Sequence, residues 1–215
     1  MDIYLPSCNF TAARPEASQK IKAYLASRDI QVAGCCRPTQ KLLTSEDRVI
    51  SICQTCSAIT REASPQASEI SLWEYLLTDN DFPWPDFQGE EMTIQDCWRA
   101  RHKPALLDAV RLCMEKMNLR PVELAENREN TQFDGVWRFQ PVAKKNLEIA
   151  PNYFGQVAAT GLELLSPEEQ KVRMEAWVSQ YTTSRVAVYC TACLKGAELG
   201  GAHSVHLLEL LTANL

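Results

Sequence analysis

The sequence predicts an α/β protein made of two pseudo-symmetric βαβ-type halves, each with a small, mostly parallel sheet. Two observations carry this prediction. Short apolar runs alternate with helical stripes, the pattern of strands joined by crossover helices. The order of those segments, and of the cysteines that follow them, then recurs later in the chain.

The first half spans residues 1–78. Ile3-Tyr4-Leu5 is a strand-like run leading to Cys8, and Pro15, seven residues beyond Cys8, stands where a helix begins. Proline suits that place because its φ is preset and no N–H is needed there. Ala17, Ile21, Tyr24 and Leu25 recur at helical spacing and mark the inner stripe of that helix. Ile30 to Ala33 is a second strand-like segment, just before Cys35 and Cys36. A third, Arg48 to Ile52, runs into Cys53-Gln-Thr-Cys56, and Ile70 to Leu77 combines a short strand with an apolar helix.

Residues 79–91 hold Pro83, Pro85, Gly89 and the acids Asp79, Asp81, Asp86, Glu90 and Glu91, which suits a linker. The second half, 92–215, repeats the first. Met92-Thr93-Ile94 leads to Cys97, and Pro104 again lies seven residues on. Leu106, Val110, Cys113, Met114 and Met117 form the matching helical stripe, followed by a strand-like segment from Leu119 to Leu124. Arg185 to Tyr189 enters Cys190-Thr-Ala-Cys193, and Ser204 to Leu211 repeats the short strand and apolar helix. An insert lengthens this half; within it Ser166 as N-cap, Pro167 at the first position and Glu168 and Glu169 in the first turn announce a helix.

Composition narrows the class. A 46% apolar, 23% charged chain falls among ordinary globular proteins. Its net charge of −5, with no basic run, excludes phosphate neutralisation and so a nucleic-acid partner. No apolar stretch approaches the roughly 20 residues of a membrane span. The amino terminus has no basic n-region of a signal peptide, so a cytoplasmic, reducing location is expected.

There, nine cysteines favour metal or redox chemistry over disulfides. Adjacent Cys35 and Cys36 are poorly placed to bond to each other. Residues at the carboxyl ends of parallel strands gather at one edge. Cys8, Cys35, Cys36, Cys53 and Cys56 are therefore expected to converge as a soft-metal site. Iron–sulfur ligation, a four-thiolate zinc site and free thiols are the alternatives. Cys53-x-x-Cys56 alone also suits a thiol–disulfide oxidoreductase, with a helix N-terminus activating the first thiol.

These stations resemble the cysteine-rich CCG-domain family, which includes the B subunit of heterodisulfide reductase and related subunits of lactate, glycerol-3-phosphate and succinate oxidation systems. The family pattern is a cysteine, a CC pair and a CxxC, commonly present twice. The first copy is complete, although Arg37 stands at the motif's glycine and the gaps of 26 residues (9–34) and 16 residues (37–52) are short. In the second copy Cys97 matches the first station and Cys190-x-x-Cys193 the last, with no CC pair between them. Leu124-Ala125 takes its place without a gap; Phe133-Asp134-Gly135 takes it if an insertion is allowed.

The resemblance implies that Cys8, Cys35, Cys36, Cys53 and Cys56 bind a 4Fe–4S cluster, which in heterodisulfide reductase is non-cubane. It further implies electron transfer as a subunit or partner of a flavin- or iron–sulfur-containing oxidoreductase, with thiol or disulfide reduction as the chemistry if the chain is itself an enzyme. Cys97, Cys190 and Cys193 form a second metal station, either zinc-binding or vestigial, for which Asp134, His102, His203 and His206 are candidate fourth ligands. His102, which follows Arg99 and Arg101, belongs to a solvated turn, or else those two arginines hold an anion or tune a potential. His203 and His206 lie on or near the last short strand, where a polar surface role is expected. The rival from another class is a zinc-stabilised binding protein that docks a partner through the insert between Gly135 and Arg185. Cys113 is a core residue of its helix.

Overall fold

The computed structural model describes all 215 residues. Two four-stranded, all-parallel sheets organise the chain, as an α/β protein of two halves requires.

In the first sheet the strands are β1 (Asp2–Leu5), β2 (Gln31–Val32), β3 (Arg48–Ser51) and β4 (Ser68–Ser71), in the order β2-β1-β3-β4. The connections are α1 (Cys8–Ala13) and α2 (Pro15–Ala26), then α3 (Cys36–Thr39), then α4 (Gln54–Ala63), with α5 (Leu72–Thr78) after the last strand. Ile3, Tyr4, Leu5, Val49 and Ile50 are all buried, so the two central strands are covered on both faces. The stripe of α2 seats Ala17, Ile21 and Leu25 in the core. Tyr24 lies at its margin, where the Arg28 guanidinium stacks 5.3 Å from the ring centroid.

The second sheet repeats the arrangement with β5 (Glu91–Gln95), β6 (Arg120–Val122), β7 (Val186–Val188) and β8 (Ser204–His206), in the order β6-β5-β7-β8. Its crossover helix α6 (Pro104–Lys116) begins at the predicted proline and buries Leu106, Val110, Cys113 and Met114. Burial raises the Cys113 thiol pKa well above its usual range, as befits a core residue.

The insert contributes α7 (Lys144–Ile149), α8 (Pro151–Thr160) and α9 (Pro167–Val178), ahead of α10 (Thr191–Leu199) and α11 (Leu207–Leu211). The Ser166 hydroxyl accepts from the Glu169 amide while the Glu169 carboxylate accepts from the Ser166 amide, a full capping box at the start of α9.

The compact units do not follow chain order. One comprises Met1–Tyr75, Pro141–Leu162 and Leu215; the other comprises Leu76–Gln140 and Glu163–Asn214. Within the first unit, α7 and α8 pack on α4. The Glu62 carboxylate at the end of α4 accepts from the amides of Asn152 and Tyr153, which lie in the first turn of α8 (2.7 and 2.8 Å). No helix is long and apolar enough to cross a membrane.

Candidate metal centres

Strand register brings the amino-terminal thiols to a common level. Tyr4 pairs with Val32 on one side and with Ile50 on the other. Counted from that row, Cys8 lies four residues on, Cys35 and Cys36 three and four on, and Cys53 three on. All three strands run the same way, so their carboxyl ends deliver these residues to one edge. Each station also begins a helix. Cys8 opens α1, Cys35 is the N-cap of α3 and Cys53 the N-cap of α4, whose first turn carries Cys56. Helix N-termini favour thiolates because the unpaired amides there carry partial positive charge.

The sulfurs are neighbours as well. A hydrogen bond to the Cys56 thiol, a second to Cys35 and the charge of Arg37 lower the Cys36 pKa below the usual thiol range, against its burial. Cys56 is the donating partner: its bonds to Cys36 and Cys53, together with burial, hold it well above that range. Cys8 is raised by partial burial, by its hydrogen bond with Cys35 and by the charges of Cys35 and Cys36. Thiol hydrogen bonds thus link Cys8 to Cys35, Cys35 to Cys36, Cys36 to Cys56 and Cys56 to Cys53. Cys8 is exposed, Cys35 and Cys53 half-buried, and Cys36 and Cys56 buried, so the group opens on the Cys8 side. Arg37 does not float in solvent: its Nε donates to Asn146 Oδ1 of α7 at 3.0 Å.

The carboxy-terminal half builds its station by the same register. Thr93 pairs with Val186, and Cys97 and Cys190 each lie four residues beyond that pair. Cys190 is the N-cap of α10 and Cys193 lies in its first turn. The ligand atoms of Cys97, Cys190 and Cys193 all lie within 4.8 Å of one another, and all three residues are buried. This group could hold a metal ion.

Its surroundings supply charge. Asp134 is buried, with Oδ1 3.3 Å from Cys97 Sγ and 3.0 Å from Arg99 Nε. The Arg99 guanidinium also donates to Cys190 Sγ at 3.1 Å and stacks 4.5 Å from the Trp137 ring centroid. Hydrogen bonds from Cys193 and Cys97, assisted by Arg99, pull the Cys190 pKa well down. Burial and the bond to Cys190 push Cys193 well up, and burial does the same to Cys97. Desolvation outweighs Arg99 at Asp134 and pushes its carboxyl up to about 6.

Close backbone approach holds Asp134 there. Gly135 has φ +55, and a Cβ on it would meet Ala192 O at 1.9 Å and Cys193 Cα at 2.7 Å. Facing it on α10, a Cβ on Gly196 would meet Gly135 Cα at 2.5 Å. The loop thus lies directly against the first turn of α10, where the Val136 amide donates to Ala192 O. Asp134 and Gly135 therefore lie at the thiols.

A further layer fixes the strand ends. The Tyr189 hydroxyl accepts from the Cys97 amide and donates to Asp96 Oδ1, both at 3.0 Å. Asp96 also accepts two bonds from Arg111 and one from the Arg128 amide. Sequence reasoning misses this network because its members are scattered along the chain; its one signal is that Asp96 and Tyr189 immediately precede ligand-type cysteines.

The other candidates fall elsewhere. His206 is buried and not on the expected polar surface: its Nδ1 accepts from the Leu208 amide, capping α11. His203 and His102 are exposed, and His102 Nε2 takes a bond from Arg101. Arg99 is buried in an ion pair and does not belong to the solvated turn that holds Arg101. Comparisons with protein-family models, with curated proteins and with solved structures find no match for this chain.

Proposed function

We propose that the chain is an iron–sulfur electron-transfer protein, with Cys8, Cys35, Cys36, Cys53 and Cys56 as ligands of a 4Fe–4S centre. The observation that carries this reading is the register of β2-β1-β3, which brings three cysteine stations to one sheet edge, where their thiols are linked pairwise. The donor set is all thiolate, the set such clusters use. Four sulfurs are partly or wholly withdrawn from water and one is exposed, a mixture that leaves the group reachable from one side. When bound, the cluster would supply one-electron redox chemistry. The chain's own residues would fix its orientation and environment: α1, α3 and α4 present their amino ends, and Arg37, held by Asn146, adds positive charge beside Cys36.

The reading extends to partners. Electrons would be exchanged with a flavin- or iron–sulfur-containing subunit of a larger oxidoreductase, as in the CCG-domain proteins that the cysteine pattern resembles. A thiol or disulfide substrate suits the open Cys8 side; reducing a disulfide there takes two electrons from that subunit and two protons. Thiol exchange at Cys190-x-x-Cys193 is disfavoured, because both sulfurs are buried.

Protein purified without oxygen should be brown, with broad visible absorption and both iron and acid-labile sulfide bound. Cys35→Ser and Cys36→Ser should bleach it, while Cys190→Ser keeps the colour. Colourless protein lacking iron after anaerobic reconstitution would defeat the reading.

A further inference from the structure

The second cysteine station differs from the first in a way that bears on what it binds. Its three sulfurs lie within 4.8 Å of one another. Thiolates around one tetrahedral zinc, each about 2.3 Å from the ion, stand roughly 3.8 Å apart. In a cubane 4Fe–4S cluster each of four cysteines binds a different iron, so its ligands are spread more widely. The spacing here is that of a single ion.

Asp134 offers a fourth donor. Asp134 Oδ1 is taken by Arg99 Nε and by the Cys97 thiol, whereas Oδ2 is buried without a hydrogen-bond partner. A buried carboxylate oxygen left unpaired is costly and asks for an explanation. A carboxylate whose first oxygen is held by an arginine and whose second is free has the arrangement of a metal ligand braced from outside the coordination shell. The backbone of this loop is locked to α10 through Gly135 and Gly196, so the aspartate is held at the thiols by design of the chain and not by a flexible side chain alone.

We propose that Cys97, Cys190, Cys193 and Asp134 form a closed, mononuclear zinc centre of structural type, in which Arg99 is the positioning residue that orients Asp134. Three buried thiolates supply three positions, and the Asp134 carboxylate, with Oδ1 3.3 Å from Cys97 Sγ, would supply the fourth, leaving none for substrate, as in structural zinc sites. Three thiolates and a carboxylate outweigh a divalent ion by two charges, and the Arg99 guanidinium, bonded to Cys190 Sγ and Asp134, offsets part of that excess. The centre would pin the ends of β5 and β7 to α10 and to the 131–136 loop. It stands independently of the iron–sulfur reading of the other half.

The test is metal analysis of the full chain after anaerobic purification from zinc-supplemented medium, followed by chelator competition and cobalt substitution. Wild-type protein and Cys35→Ser should each hold one zinc per chain, whatever their iron content. Asp134→Ala should weaken zinc by more than about 100-fold, beyond the 10–100-fold that loss of an outer-shell partner costs, and Arg99→Gln should fall within that smaller range. The cobalt form should show the intense visible bands of a tetrahedral site. Asp134→Cys should retain them and increase the thiolate-to-cobalt charge-transfer absorption, a readout that does not depend on the alanine variant folding. Absence of zinc from wild-type protein, or unchanged zinc affinity in folded Asp134→Ala, would overturn the proposal, as would an Asp134→Cys cobalt spectrum identical to wild type.

Discussion

Gly135→Ala tests how the second centre is assembled. The substitution adds one methyl group, yet that carbon would arrive 1.9 Å from Ala192 O and 2.4 Å from Ala192 C. Both are backbone atoms of α10, so no rotamer change relieves the clash; the loop or the helix must move. The φ of +55 adds left-handed strain, about 1–2 kcal/mol for a residue with a Cβ. Overpacking a tight site typically costs about 1–3 kcal/mol more. Together they predict a loss of about 2–5 kcal/mol, a large part of the ~5–15 kcal/mol by which domains are stable. Urea unfolding followed by circular dichroism measures it, with Gly155→Ala as the control. Gly155 sits within α8 with nothing within 4 Å of its Cβ position, so alanine there should stabilise by up to ~1 kcal/mol. Equal midpoints for Gly135→Ala and wild type would mean that the loop does not rest on α10, and the account of how Asp134 is held would fail.

Other predictions follow from single contacts. Tyr189→Phe removes the hydroxyl that bridges the Cys97 amide and Asp96, leaves a buried amide unpaired and should cost about 1–3 kcal/mol in chemical denaturation. Ser166→Ala breaks the capping box of α9 and should cost about 0.5–2 kcal/mol, read as a lowered thermal midpoint. In metal-free protein, Asp134 has a folded-state pKa of about 6 against an unfolded value of 3.8, so the folded state binds the extra proton between them. Stability should therefore be full below pH ~4 and fall by about 3 kcal/mol as pH rises through 6, at roughly 1.36 kcal/mol per unit. Asp134→Asn should flatten that slope; a slope of the opposite sign in metal-free wild type would show that Arg99 outweighs desolvation.

Local signals gave away the fold because each segment obeys its own propensity. Pro15 and Pro104 mark true helix starts, and Ser166, Pro167 and Glu169 form the cap their order announced. The extra helix α1 was hidden, since Cys8 to Ala13 is a single short turn-and-a-half with only Phe10 buried, too brief for a periodic stripe. The cysteine stations were visible as positions after strands, and parallel register does the rest. What lay beyond the sequence were relations between distant residues. Arg99 looked like one of two basic residues in a turn, yet burial beside Asp134 and Trp137 separates it from exposed neighbours. His206 looked like a surface residue of a strand, but the following helix needed its imidazole as a cap. The division of the insert between two compact units likewise depends on tertiary packing, such as Glu62 capping α8, and leaves no local mark.

Three of the four outermost strands have a consequence for assembly. β2 is two residues long, β4 is mostly polar, and β6 carries Pro121, which has no N–H to offer a neighbouring chain. Such margins resist the addition of foreign strands, a common route to unwanted self-association. A partner chain is therefore discouraged from widening either sheet at the β2, β4 or β6 margin.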